Sequence, residues 1–80
     1  MRLDKFLKNS RLIKRRTIAK EACDHGRIQV NDVVAKAGTQ VKAGDVISIR
    51  LGEKILSAKV TLLLEHVTKD DAEKMYEIIN

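Results

Sequence analysis

The 80-residue sequence contains no proline, no tryptophan, one cysteine and only two aromatic residues, Phe6 and Tyr76. A single cysteine can form neither an internal disulfide nor a cysteine-based metal cluster. Two aromatic residues on apolar faces provide no platform on which unpaired bases could stack. Uninterrupted apolar runs, such as Leu62-Leu63-Leu64, are far too short to span a membrane, and no secretory signal pattern is present. These absences favour a cytoplasmic protein without a membrane partner.

Groups that could perform catalysis are also sparse. His25 and His66 are far apart in the sequence, no glycine-rich phosphate loop is present, and no carboxylates are arranged as a general acid and base. Asp70 and Asp71 fall at a predicted helix start, where carboxylates favour the positive end of the helix dipole. Cys23 is expected to be a small buried residue. We therefore predict a protein that is not an enzyme and uses no metal and no cofactor.

Positive charge is concentrated in the first half of the chain. The net charge is +5, with ten basic and four acidic residues in 1–40 and six and seven in 41–80. Such asymmetry indicates that one half of the domain faces a polyanion. Nine cations fall within the first 27 residues: Arg2, Lys5, Lys8, Arg11, Lys14, Arg15, Arg16, Lys20 and Arg27. Arginine and lysine are common ligands of phosphate, and the scarcity of base-reading side chains favours structured RNA over a DNA major groove.

Two short helices are predicted at the amino terminus. The spacing of Leu3, Phe6 and Leu7 places three apolar side chains on one face, and Asp4 and Lys8 are spaced as an ion pair on an exposed helix. The second helix is predicted to extend from about residue 14 to residue 25 and to end at Gly26. Its predicted apolar arc contains Ile18, Ala19, Ala22 and Cys23, and its basic flank contains Arg16, Lys20 and Arg27.

The middle of the chain alternates apolar and polar residues, which predicts a small, mostly antiparallel sheet. The expected elements are a hairpin with a turn at Asn31-Asp32, an ordered turn over residues 41–45, and strands over residues 46–51 and 54–64. A last helix is predicted to begin near Thr68, with Ala72, Met75, Tyr76 and Ile79 on one face. The predicted fold class is α+β, with two short N-terminal helices packed on the sheet and a C-terminal helix, in one domain covering residues 1–80.

Four motifs resemble, in order and spacing, the RNA-binding domain of ribosomal protein S4, the alpha-L motif. They are Arg2-Leu3-Asp4-Lys5-Phe6-Leu7, Arg15-Arg16-Thr17-Ile18-Ala19, Gly26-Arg27-Ile28-Gln29-Val30-Asn31 and Val41-Lys42-Ala43-Gly44-Asp45. The resemblance covers about residues 1–51, and nearly the entire chain is similar to small free-standing members that act in ribosome quality control. Arg15 stands where many members have a serine helix cap, and Asp32 replaces a common glycine.

The resemblance implies a non-catalytic factor that binds an obstructed large ribosomal subunit, through its ribosomal RNA and the P-site peptidyl-tRNA. It also implies a partner on the same subunit, the NFACT-type factor RqcH, whose addition of an alanine tail the chain would support. Arg2 and Arg16 match RNA-contacting arginines of the family, and Asp4 would orient the basic groups of the first helix. The implied RNA-binding set is Arg2, Lys5, Lys8, Arg11, Lys14, Arg15, Arg16 and Lys20.

Two other classes of function stay open on the sequence. Similar domains direct enzymes such as pseudouridine synthases and tyrosyl-tRNA synthetases to RNA, and a small heat-shock protein of the same family acts on ribosomes in recycling. The other class is a membrane-surface or protein-interaction domain, which should present exposed leucine, tryptophan or phenylalanine on its basic helix face. The sequence has none there, so RNA is the expected partner.

Overall fold

The computed structural model describes residues 1–79. Over these residues two N-terminal helices precede a five-stranded sheet, and a short third helix and a 3-10 turn lie between its last two strands. The elements are α1 (Leu3–Asn9), α2 (Arg16–Asp24), β1 (Ile28–Val30), β2 (Val33–Val34), β3 (Val46–Leu51), β4 (Lys54–Val60), α3 (Lys69–Ala72), a 3-10 turn (Glu73–Met75) and β5 (Tyr76–Ile78). The strand order is β2-β1-β3-β4-β5, and every pairing is antiparallel. The predicted α+β class is confirmed.

The core lies between the two helices and one face of the sheet. Leu3, Phe6 and Leu7 are fully buried, as their spacing predicts, and they share a cluster with Ile28 and Ile47 of the sheet. Burial of each large apolar side chain contributes about 1.5–3 kcal/mol. Side chains alternate across a strand, so the side chains between these core residues along β1 and β3 lie on the sheet face away from the helices.

Helix α2 buries a narrower stripe than its sequence predicts. Ala19 is fully buried and Cys23 is 2% exposed, whereas Ile18 is 49% exposed. The prediction that Ile18 belongs to the buried arc is therefore wrong. Ala19 and Cys23 are one turn apart and form a single row of small side chains against the core, and Ile18 lies about 100° away from that row.

The end of α2 follows the predicted glycine. Gly26 has a φ of +72°, the N–H of Gly26 donates to the carbonyl of Cys23, and the N–H of Arg27 donates to the carbonyl of Ala22, both at 3.0 Å. This pair of hydrogen bonds is a Schellman motif. Arg27 therefore leaves the helix, and its predicted place on the basic flank of α2 is wrong. It pairs instead with β3, where the Arg50 N–H donates to its carbonyl at 2.9 Å.

The two predicted turns are confirmed. Asn31 and Asp32 connect β1 to β2 with φ values of +52° and +68°, which asparagine and aspartate tolerate better than most residues. The Asn31 side-chain amide donates to Asp45 at 3.1 Å, and its oxygen accepts from the N–H of Val46 at 3.0 Å. The other Asp45 oxygen accepts from the N–H of Lys42 at 3.0 Å, which closes the turn over residues 41–45.

The C-terminal third differs from the prediction in two ways. Strand β4 ends at Val60 and not at Leu64, because the N–H groups of Thr61 and Leu62 turn to the carbonyl of Met75, at 2.9 and 3.3 Å. Thr68 caps α3 by accepting from the N–H of Asp71, but the helical region ends at Met75.

The predicted helix beyond Met75 is wrong, since Tyr76–Ile78 form β5 against β4, with Val60 opposite Tyr76. The unpaired edge of β4 offers backbone hydrogen bonds to this segment, and this long-range pairing outweighs the local helical period.

Candidate nucleic-acid interface

The first residues of α1 and α2 meet at a shared carboxylate. The Arg2 Nε lies 3.2 Å from one oxygen of Asp4, and the Arg16 Nε lies 3.3 Å from the other. The backbone N–H of Lys5 also donates to Asp4, at 2.8 Å. Asp4 is only 3% exposed. We call these three side chains the Arg2–Asp4–Arg16 cluster. The ion pair expected between Asp4 and Lys8 on an exposed helix face is therefore wrong, because the approach of α2 buries Asp4 and supplies Arg16.

The chain after the first hairpin fixes the start of α1. The N–H of Leu3 donates to the carbonyl of Thr39 at 2.8 Å, and the N–H of Asp4 donates to the carbonyl of Ala37 at 3.1 Å. These bonds satisfy two amides that a helix start otherwise leaves without partners. Arg2 is the N-cap of α1, and Arg16 is the first residue of α2. Both arginines thus extend from the starts of helices.

The cluster keeps net positive charge at the surface. Burial alone would raise the pKa of Asp4, but hydrogen bonds from Arg2, Arg16 and the Lys5 N–H outweigh burial and lower that pKa below its ordinary value. The carboxylate is therefore ionised at neutral pH, and one negative charge faces two positive charges. Both arginine side chains are 51% exposed. Arg16 contacts the carboxylate through Nε, so its terminal Nη atoms remain available for a phosphate.

Lys5 has a partner that its sequence context does not suggest. Its ammonium group donates to the carboxylate of Glu65, and this bond lowers the pKa of Glu65. The Asn9 side chain, one turn further along α1, donates to the carbonyls of Leu64 and Glu65 at 3.0 and 3.3 Å. These contacts fix residues 64–65 onto α1. No local signal marked Glu65, since its partner lies 60 positions earlier in the chain.

Three further predicted residues line a common concavity. Lys8 of α1 and Arg11 and Lys14 of the loop between the helices line a cleft of about 310 Å³, and Lys69 lines it from α3. The cleft continues into a second concavity of about 260 Å³, which Arg11, Lys14 and Lys69 also line. We call this feature the basic cleft. Among residues 1–79, none of these four cations forms an ion pair with a carboxylate. Sequence reasoning missed Lys69, which lies in the less basic half of the chain.

The other predicted cations are less closely associated. Lys20 lies one helical turn after Arg16, so both are on the same side of α2. Arg15 is the N-cap of α2, and its side chain makes no capping hydrogen bond. Both residues are exposed. Arg27 lies apart from the set, in a small groove with Arg50 and Ile55.

A nucleophilic cysteine, a metal site and a membrane-spanning helix have little support in the described part of the chain. Cys23 is 2% exposed, and burial together with the charges of Asp4 and Asp24 raises the pKa of its thiol to about 11. The thiol is thus a poor nucleophile at neutral pH. Residues 1–79 contain no group of three or more histidine, cysteine, aspartate or glutamate residues suited to a metal ion. No helix within the same residues is long and apolar enough to cross a membrane.

Comparison with known proteins agrees with this geometry. The S4 domain family matches residues 1–47. The chain is 60% identical over 79 residues to a Listeria monocytogenes protein, covering 99% of this chain and 86% of that protein. It is 59% identical over 78 residues to a Halalkalibacterium halodurans protein, covering 98% and 89%. Both relatives are named RQC P-site tRNA stabilizing factor.

A solved structure shares the whole fold. Heat Shock Protein 15 of Vibrio cholerae superposes with a TM-score of 0.89 at 25% identity, covering 99% of this chain and 81% of that protein. The alignment includes the C-terminal segment that follows the matched S4 domain. The chain therefore belongs to the S4 domain family, and it is similar over nearly its full length to the members named RQC P-site tRNA stabilizing factor.

Proposed function

We propose that the chain is a non-catalytic RNA-binding factor of ribosome quality control, in which residues 1–80 act as one domain in the cytoplasm. Its partner is the large ribosomal subunit, and its ligands are phosphates of ribosomal RNA and of the P-site peptidyl-tRNA. The names of the two relatives supply the process and the tRNA. The match to the S4 domain supports binding to RNA. Affinity is electrostatic in this proposal, and specificity comes from the shape of the RNA.

The Arg2–Asp4–Arg16 cluster is the observation that carries the proposal. The carboxylate oxygens of Asp4 lie 3.2 Å from the Nε of Arg2 and 3.3 Å from the Nε of Arg16, and about half of each arginine side chain stays exposed. A fixed guanidinium loses less conformational freedom when it binds a phosphate than a mobile one does. In this proposal Asp4 is the orienting residue, and the RNA-binding residues are Arg2, Lys5, Lys8, Arg11, Lys14, Arg15, Arg16 and Lys20.

The proposal extends to alanine tailing. A chain that holds the P-site tRNA on an obstructed large subunit would support the NFACT-type factor RqcH, which adds the C-terminal alanine tail. The chain itself performs no reaction in this scheme. Its contribution is to keep the peptidyl-tRNA in place between additions. In cells that lack the wild-type chain, the Arg16→Ala variant is expected to give fewer alanine-tailed products.

Co-sedimentation with large subunits tests the proposal, with and without trapped peptidyl-tRNA. Neutralising about four to six phosphates predicts that affinity falls roughly 10²- to 10³-fold between 50 and 200 mM salt. Arg16→Ala is expected to weaken binding and to lower the thermal midpoint by only a few degrees, because its ion pair is half exposed. Arg50→Ala is the matched control, since Arg50 is an exposed arginine on the sheet face away from the helices. Binding that is insensitive to salt, or equal losses for both variants, contradicts the proposal.

A further inference from the structure

The segment after β4 adds a wall to the basic surface that lies outside the matched S4 domain. The family match ends at residue 47, whereas residues 67–69 line the basic cleft together with α1 and the loop that follows it. We propose that the basic cleft is a distinct phosphate site that takes a single strand of RNA backbone, with Lys69 as one of its phosphate contacts. The inference rests on the proposed function and states where on the chain a backbone strand lies.

The charges of the cleft are complementary to phosphate. Lys8, Arg11, Lys14 and Lys69 line the cleft, and none is paired with a carboxylate among residues 1–79. Like charges around one concavity repel each other unless an anion lies between them. Among residues 1–79, Glu73 is the one acidic residue that lines the adjoining concavity. Cations that line one concavity from α1, the following loop and α3 can neutralise a single backbone strand from more than one side, which a flat basic face cannot do.

The wall that carries Lys69 is held in place before any ligand binds. Asn9 is 6% exposed, and its side chain bonds the carbonyls of Leu64 and Glu65. On the other side of the segment, the Thr61 hydroxyl donates to the carbonyl of Lys74 at 2.7 Å. The segment from residue 61 to residue 74 is thus bonded to α1 near its start and closed on itself near its end. Such preorganisation lowers the entropy lost on binding.

Arg11 gives an independent sign that the cleft is functional. It follows the last turn of α1 with a φ of +63°, a conformation that glycine or asparagine usually adopts at this position. A side chain there costs about 1–2 kcal/mol, and residues in such sparsely populated conformations concentrate at functional sites. Arg11 lines both concavities of the cleft, so a residue with a strained backbone lies at this surface.

RNA fits the position of the cleft better than an acidic peptide. Lys8 is three residues after Lys5 on α1, so the two lie on the same side of the helix, and Lys5 directly follows Asp4. The cleft and the Arg2–Asp4–Arg16 cluster therefore both involve α1, the cluster at its start and the cleft at Lys8 and beyond. A nucleic acid backbone can cover both sites with regularly spaced charge, whereas a short acidic segment would serve the cleft alone.

Salt titration of large-subunit binding tests the inference with a matched pair of variants. Lys69→Gln removes a cation of the cleft, and Lys74→Gln removes a lysine of the same helical region that is paired with Asp71 at 3.6 Å and does not line the cleft. Loss of one phosphate contact reduces the salt slope, so the affinity drop between 50 and 200 mM should be about threefold smaller for Lys69→Gln than for wild type. Lys74→Gln should match wild type, and Lys69→Arg should restore the wild-type slope.

Measurements on large subunits with and without peptidyl-tRNA distinguish the possible outcomes. If Lys69→Gln has a reduced salt slope on subunits without peptidyl-tRNA, the bound backbone strand belongs to ribosomal RNA. If the slope is reduced only on subunits that carry peptidyl-tRNA, the strand belongs to the tRNA. Either result supports the cleft. If wild type binds, Arg16→Ala weakens binding and Lys69→Gln has the wild-type slope, the cleft inference is overturned and the proposed function stands. If wild type does not bind large subunits, the proposed function fails and the role of the cleft fails with it.

Discussion

Replacement of Asp4 by asparagine distinguishes orientation from simple charge attraction. Asp4→Asn raises the net charge from +5 to about +6, so attraction to a polyanion alone predicts tighter RNA binding. If Asp4 instead orients Arg2 and Arg16, the variant releases both guanidinium groups and binding weakens. Fixing a mobile side chain costs about 0.5–1.5 kcal/mol. The cost of fixing two released side chains exceeds the favourable contribution of the added positive charge, so we expect the affinity of Asp4→Asn to be about tenfold lower.

The same change should destabilise the fold. Asp4 accepts hydrogen bonds from two charged groups and from one backbone N–H, and its own side chain is almost fully buried. Hydrogen bonds to charged groups contribute about 1.5–3 kcal/mol when buried and less when exposed. Because both guanidinium groups are half exposed, we expect a loss of about 2–3 kcal/mol, or about 10–20 °C in thermal midpoint for a domain of this size.

The stability difference has a defined dependence on pH. The folded-state pKa of Asp4 lies below its ordinary value, so its contribution is fully present above the unfolded pKa of about 3.9 and is lost as pH falls through the folded pKa. Wild type and Asp4→Asn should therefore differ most at neutral pH and converge in acid. Thermal unfolding across pH measures this difference.

Asp32→Asn is the control for charge. It makes the same change at an exposed turn position, and asparagine tolerates the left-handed backbone there. We expect this variant to bind large subunits at least as tightly as wild type at 20 °C, and Asp4→Asn to bind less tightly. Tighter binding by both variants would refute the orienting role, and a stability difference that grows in acid would refute the assigned ion pairs.

Much of the amino-terminal half could be predicted because its determinants are local. The spacing of Leu3, Phe6 and Leu7 predicts α1, Gly26 predicts the end of α2, and Asn31-Asp32 predicts the hairpin turn. Each of these signals acts over four residues or fewer, through side-chain direction or a permitted φ value. The S4 resemblance, expected over about residues 1–51, agrees with the family match over residues 1–47.

The wrong predictions concern residues whose structure depends on contacts with distant parts of the chain. Asp4 and Lys8 have the spacing of an exposed ion pair, but Asp4 pairs instead with Arg2 and with Arg16 of α2, the latter 12 residues away. Tyr76 fits a helical period with Ala72 and Met75, but the edge of β4 pairs with it instead. Local periodicity cannot report an unpaired strand edge or an approaching helix, since both exist only in the folded chain.

The basic cleft shows the same limit for function. Lys8, Arg11 and Lys14 can be identified from the charge of the first half, which is the signal that a basic set provides. Lys69 joins them in the folded chain, where Asn9 and Lys5 bond residues 64–65 to α1. A count of charges along the sequence places Lys69 in an acidic region, whereas in the fold it lines the same cleft as three other cations.

Substitutions at two other positions, Glu65 and Arg11, separate stability from RNA binding. Glu65→Gln removes the carboxylate partner of Lys5 at an exposed position, so large-subunit affinity should rise about two- to fivefold with little change in thermal midpoint. Glu53→Gln, which makes the same charge change in the turn after β3, should raise the affinity less. Weaker binding by Glu65→Gln would show instead that Glu65 orients Lys5. At Arg11, we compare Arg11→Gly with Arg11→Ala. Both lose the guanidinium and should bind RNA equally weakly, but only glycine relieves the left-handed backbone, by about 1–2 kcal/mol less about 0.5–1 kcal/mol of chain entropy. Arg11→Gly should therefore unfold at a higher temperature than Arg11→Ala, by up to about 1 kcal/mol of stability. An Arg11→Gly variant that is less stable than Arg11→Ala would show that the backbone at this position is not strained. A glycine variant that binds as tightly as wild type would remove Arg11 from the RNA-binding set.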